Sequence, residues 1–98
     1  MTTEMVIYQS DDGQIRLETR LENETLWMTQ SQMAELFQTS VANINIHIKN
    51  ILDEGELLEA ATIKDFLIVR LEGQREVQRN IAHYNLDMVI SVGYRVKA

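Results

Sequence analysis

Four residues at helical spacing, Asn43, Ile46, Lys49 and Asn50, offer the clearest chemistry in this sequence. An asparagine can bond adenine at two points, an aliphatic side chain can touch a thymine methyl, and a lysine can meet guanine or a phosphate. At about 100° per residue these four and Ala42 point away from the apolar stripe Val41, Ile44, Ile48, Ile51 and Leu52, with His47 at the margin. Such a face suits the floor of a DNA major groove. The same residues also describe an ordinary solvated helix with one exposed isoleucine.

Other chemistry is poorly served. His47 and His83 lack the spacing of a zinc-protease helix, the serines lack a nucleophile-elbow setting, and Gly13, Gly55, Gly73 and Gly93 are too isolated to cradle a phosphate. Cysteine is absent, which excludes disulfides and thiolate metal sites. Asp11 and Asp12 lack the remaining oxygens of a calcium loop and read as an acidic hairpin turn. The expectation is no catalytic residue, no cofactor, no metal and no small-molecule substrate.

Two short helices must hold the Asn43–Asn50 face in place. Thr29 and Gln32 form a capping box that opens the first, whose apolar residues are Met33, Ala34, Leu36 and Phe37. Gln38 and Thr39 make the turn, and Ser40 caps the second helix, which runs to Asp53 or Glu54 and stops at Gly55. Capped helix, tight turn and capped helix together read as a helix-turn-helix. In that reading Thr29, Gln30 and Ser40 position phosphates.

Upstream, Met5–Gln9 has strand composition, Ser10–Gly13 is a turn, and Gln14–Arg20 alternates, with Ile15, Leu17 and Thr19 on one face. Thr25–Trp27 is a brief third strand, and Trp27 is expected under the helix pair with its N–H on a carbonyl. Downstream, Glu56–Ala61 is a connector, and Thr62–Leu71 and Glu76–Tyr84 read as strands around a turn at Glu72–Arg75. A hairpin after a helix-turn-helix is a wing, with Gln74 and Arg75 at its tip and Arg70 and Arg79 flanking, where they could lie along phosphates or serve only as surface charge on an edge hairpin. Asn85 caps a last short helix, Leu86–Val92, ended by Gly93. The fold class expected is α+β, a winged helix-turn-helix with an N-terminal β-hairpin and a short C-terminal helix.

Composition bounds these readings. Ninety-eight residues make one domain, 1–98, with no apolar run of membrane-spanning length and no signal-peptide pattern at Met1–Glu4, so the cytoplasm is the expected compartment. A net charge of −6 runs against nucleic acid, yet its distribution is uneven. From Ala60 onward Lys64, Arg70, Arg75, Arg79, Arg95 and Lys97 outnumber Asp65, Glu72, Glu76 and Asp87. Tyr94–Ala98 reads as a tail without a partner, which suggests a piece of a longer chain.

Three runs, IYQSDDGQIRLETRLENETLW, WMTQSQMAELFQTSVANINIHIKNILDEGEL and YNLDMVISVGYRVK, resemble the N-terminal part of the RhuM virulence protein family. These are bacterial proteins of a few hundred residues, found among mobile or pathogenicity-associated genes and often described as DNA-binding. The resemblance implies a helix-turn-helix head, a missing C-terminal part and a bacterial cytoplasm. This sequence departs from many relatives at Val41 and Ala42, where polar or basic side chains are frequent, and it has Gln38 where repressor-type motifs place glycine.

Two functions follow as expectations. The first is sequence-specific binding of double-stranded DNA, with the major groove read by residues 41–54 and phosphates met by a wing near 70–79. The alternative is a protein-interaction module, including a homodimer, built on Ile46 and its apolar neighbours. No membrane partner is expected.

Overall fold

The computed structural model describes residues 4–97; Met1–Thr3 and Ala98, which the signal-peptide and tail readings touch, lie outside the described residues. Five strands form one antiparallel sheet in the order β1-β2-β3-β5-β4: β1 (Glu4–Gln9), β2 (Arg16–Glu22), β3 (Thr25–Met28), β4 (Ile63–Glu72) and β5 (Arg75–Asn85). Helices α1 (Gln30–Phe37), α2 (Val41–Asp53), α4 (Leu86–Lys97) and the single turn α3 (Glu59–Thr62) complete the fold.

This corrects the winged helix-turn-helix expectation. A winged helix is mainly helical with a hairpin appended, whereas here strand and helix share the chain about equally and the sheet is continuous. The element that decides it is β3. Its four residues pair with β2 on one side (Arg20↔Trp27, Leu21↔Leu26) and with the end of β5 on the other (Trp27↔Asn85, Met28↔Tyr84), so the two hairpins become arms of one sheet. Local patterning identified each strand but could not show that β3 joins residues so distant in sequence.

Past Met28 the chain turns into α1 and the sheet forks. The backbone of β2 then lacks a β3 partner, and Gln32 Nε2 donates to the Glu18 carbonyl at 2.6 Å in its place. Gln30 Nε2 donates to the Tyr84 hydroxyl at 2.9 Å on the β5 side.

One face of the sheet carries the main core. Leu17, Met28 and Tyr84 pack with Met33 and Ala34 of α1, Ile44, Ile48 and Ile51 of α2, and Met88, Val89 and Val92 of α4. The stripe expected on α2 is therefore its buried side, except that Val41 is exposed and Leu52 half-buried.

Trp27 lies on the other face. It meets Phe66 edge-on at 5.9 Å, and Phe66 meets His83 at 4.8 Å, with Arg20 and Lys64 each over the Phe66 ring. Its N–H does find a carbonyl, that of Glu22, at 3.1 Å. Strand alternation explains the correction: Met28 takes the helix-covered face, so its neighbour Trp27 must take the opposite one. Burial lowers the His83 pKa from the ordinary 6.5, the Arg20 charge adds to that, and the bond between Nδ1 and the Ile81 carbonyl opposes it.

The last helix is longer than expected. It runs through Gly93 to Lys97, because that glycine sits where a Cβ would come within 2.9 Å of the Phe37 ring, a packing role rather than a helix stop. Tyr94–Lys97 is not a tail: Val96 packs on the core, and Arg95 donates to both carboxylate oxygens of Glu54 at 3.1 Å and to Glu56 at 3.3 Å. The pairing with Arg95 holds the Glu54 carboxyl below its usual range. Within the expected connector, α3 is closed by the Thr62 hydroxyl donating to the Leu58 carbonyl at 2.8 Å.

The turn between β2 and β3 yields a prediction. Asn23 and Glu24 both have positive φ, 54° and 63°, the pair required by a type I′ hairpin turn. Glutamate pays for that conformation where glycine would not, and Asn-Gly is the preferred pair. Glu24→Gly is expected to stabilise the fold by about 0.5–1 kcal/mol, read as a higher midpoint in urea with an unchanged slope.

Candidate nucleic-acid interface

The helix pair is assembled as its caps dictate. The Thr29 hydroxyl accepts from the Gln32 amide at 3.1 Å, and the Gln32 side chain accepts from the Thr29 amide at 2.9 Å, closing the capping box. Gln38 takes the left-handed conformation, φ 54° and ψ 53°, which lets the Thr39 amide reach back to the Ala34 carbonyl at 2.9 Å. Ser40 then caps α2 through the Asn43 amide at 3.0 Å.

The outer side of α2 exposes Ala42, Asn45, Ile46, Lys49 and Asn50. Ile46 is 55% exposed at the middle of this strip. No helix, strand or ion pair among the described residues covers Lys49 or Asn50, so their polar ends are available. Asn43 is half-buried, with its amide donating to the Thr39 hydroxyl at 2.9 Å. It can offer a base only its remaining capacity.

Three residues expected at phosphates are already engaged. Thr29 and Ser40 use their hydroxyls as caps, and Gln30 donates to Tyr84 and, at 3.4 Å, to Asn45. Asn45 escaped the sequence reading. Its signal was present, since it stands three residues after Ala42 and four before Lys49, on the same flank of the helix.

The β4–β5 hairpin does not simply extend this surface. Ile63, Ala82 and Tyr84 belong to the helix-covered face, so the register places Arg70, Arg75 and Arg79 on the opposite one. Gln74 sits in the two-residue turn after Gly73. Arg79 is paired with both oxygens of Glu72, at 3.1 and 3.2 Å, which removes most of its charge from the surface field. Among the described residues Arg70 and Arg75 have no such pairing.

An open apolar groove of about 680 Å³ lies between the end of α1 and α4, lined by Leu36, Phe37, Val89, Ile90, Gly93, Tyr94 and Lys97. Among the described residues there is no cluster of three or more metal-ligating side chains, and no helix long and apolar enough to cross a membrane.

Searches among curated proteins and among solved structures return no match. A family model does match, over residues 61–98. That span holds the hairpin, α4 and the run YNLDMVISVGYRVK, but neither the helix pair nor the opening run. Over this C-terminal stretch the chain is similar to the virulence protein RhuM family.

Proposed function

We propose that the chain binds double-stranded DNA sequence-specifically, with the outer strip of α2 laid in the major groove. The observation that carries this reading is the free strip Ala42, Ile46, Lys49 and Asn50 on a helix whose inner side is fixed by Ile44, Ile48 and Ile51. Asn50 offers a base edge both a donor and an acceptor, Ile46 and Ala42 meet thymine methyls, and Lys49 reaches guanine or phosphate. Phosphate contact from the hairpin falls to Arg70 and Arg75, since Arg79 is held by Glu72.

Affinity should be modest, because one lysine on the reading strip releases few counterions. The test is selection from a random duplex library, followed by titration of the recovered site at several salt concentrations. Lys49→Ala is expected to lower affinity and reduce the salt slope by about 1, whereas Asn50→Ala should relax preference at one base pair and leave the slope unchanged. Recovery of no enriched sequence, with no shift of any duplex at low salt, would sink the proposal.

A second reading is favoured by the central exposure of Ile46. An isoleucine at the middle of a polar strip also suits a protein partner that buries it. Self-association abolished by Ile46→Glu, in a chain that binds no duplex, is the result that would select this alternative.

A further inference from the structure

The geometry points to a binding site for a small phosphomonoester in the fork of the sheet, its protonated phosphate seated between Glu18 and His83 beside Arg20. A cleft of about 310 Å³ opens there, lined by Thr29 and Ser31 where α1 begins and by Glu18, Arg20 and His83 from the strands.

The register places these groups. Arg20 pairs with Trp27, and Trp27 with Asn85. Two residues on, where the chain leaves β3 at Thr29, Glu18 of β2 and His83 of β5 therefore stand across the gap from each other, on the same side of the sheet as Trp27. Two strand spacings, about 10 Å, separate their backbones at the end of β3, which leaves room for a phosphate with a hydrogen bond on each side.

Charge and hydrogen bonding select the ligand. Among the described residues Arg20 has no carboxylate partner. The Gln30 and Ser31 amides, first in α1, cannot be bonded within the helix, and both features favour an anion. The other two groups call for a proton. His83 is 3% exposed, with Nδ1 against the Ile81 carbonyl at 2.8 Å. A carbonyl only accepts, so Nδ1 carries the hydrogen, and Nε2 of the neutral ring is an acceptor. Burial and the Arg20 charge hold the His83 pKa down, toward that neutral ring. Among the described residues no fully buried side-chain nitrogen or oxygen lacks a hydrogen bond, so Nε2, which has none, opens on the cleft. The Glu18 carboxylate is the second acceptor, its ion pair with Arg16 being a long one at 3.8 Å. A group both negative and protonated answers all of these. A phosphomonoester can be so, whereas sulfate, a carboxylate and the phosphodiester of DNA carry no proton near neutral pH. Beyond the anion the cleft continues along Met5, Ile68 and Ile81, an apolar wall for the organic part of the ester.

Titration of the isotope-labelled chain by NMR tests this, with inorganic phosphate and phenyl phosphate as probes and sulfate and dimethyl phosphate as controls. At about pH 6.5, where a phosphomonoester still holds part of its proton, both probes are expected to shift the Gln30 and Ser31 amides and the His83 ring nitrogens. Both controls should bind at least about ten-fold more weakly, because each leaves two acceptors facing an unprotonated oxygen. Arg20→Gln should weaken phosphate at least about ten-fold while amides outside the cleft keep their positions. Glu18→Gln supplies a donor and should close the gap between phosphate and sulfate, which a merely structural role would not do. Lys49→Ala and Asn50→Ala on α2 should leave phosphate binding unchanged, so this inference and the DNA reading fail separately. No shift at tens of millimolar phosphate, sulfate or dimethyl phosphate binding as well as phosphate, or undiminished affinity in Arg20→Gln would overturn it.

Discussion

Ile44→Ala is expected to destabilise the chain by about 3 kcal/mol and lower its melting temperature by about 10–20 °C. Ile44 is fully buried where α2 meets α1 and the sheet, among Met33, Ile48, Ile51 and Met88. Truncation removes buried methyl groups and leaves a cavity that capped, close-packed helices cannot easily close. The comparison that isolates the cause is Ile46→Ala, one turn edge away on the exposed side of the same helix, which should shift stability by no more than about 0.5 kcal/mol. Thermal unfolding followed by circular dichroism separates the two. Equal losses would mean that the helix is not oriented as described, and the assignment of its outer strip would fall with it.

Asn85→Ala should cost about 2 kcal/mol, a large effect for one polar residue. Asn85 is buried at the point where β5 becomes α4. Its Oδ1 accepts the Met88 amide at 3.1 Å, capping α4, and its Nδ2 donates to the Ala61 carbonyl at 3.1 Å, tying down α3. Alanine leaves the buried Met88 amide without its cap and releases the Ala61 carbonyl, which lies beside an open cleft, from its tie to α4. Asn85→Ser restores the cap oxygen without the reach to Ala61, and should recover about half of the loss. Chemical denaturation of the three proteins tests this; full recovery by serine would show that the Ala61 bond contributes nothing.

Both residues were legible from sequence, Ile44 by its spacing and Asn85 by its place before an apolar run. The same holds for the capping box at Thr29 and Gln32, the turn at Gln38, the Ser40 cap and the stop at Gly55, all set by interactions within a few residues. The candidate strip on α2 was legible for the same reason, because helical periodicity sorts inward from outward residues before any tertiary contact is known. The occupation of Gln30 by Tyr84 and of Arg79 by Glu72 was not, since each depends on where another element comes to rest.

Sequence by itself determined the five strands, the helix pair with its caps and turn, and which side of α2 is oily. Only the tertiary structure decided that β3 stitches two hairpins into one sheet, that Trp27 packs on the face away from the helices, and that Gly93 lets α4 continue past Phe37. The reason is range. Periodicity and capping act over one or two turns of chain, whereas the pairing of Met28 with Tyr84 joins residues far apart in sequence, and no local pattern names the partner of so short a strand.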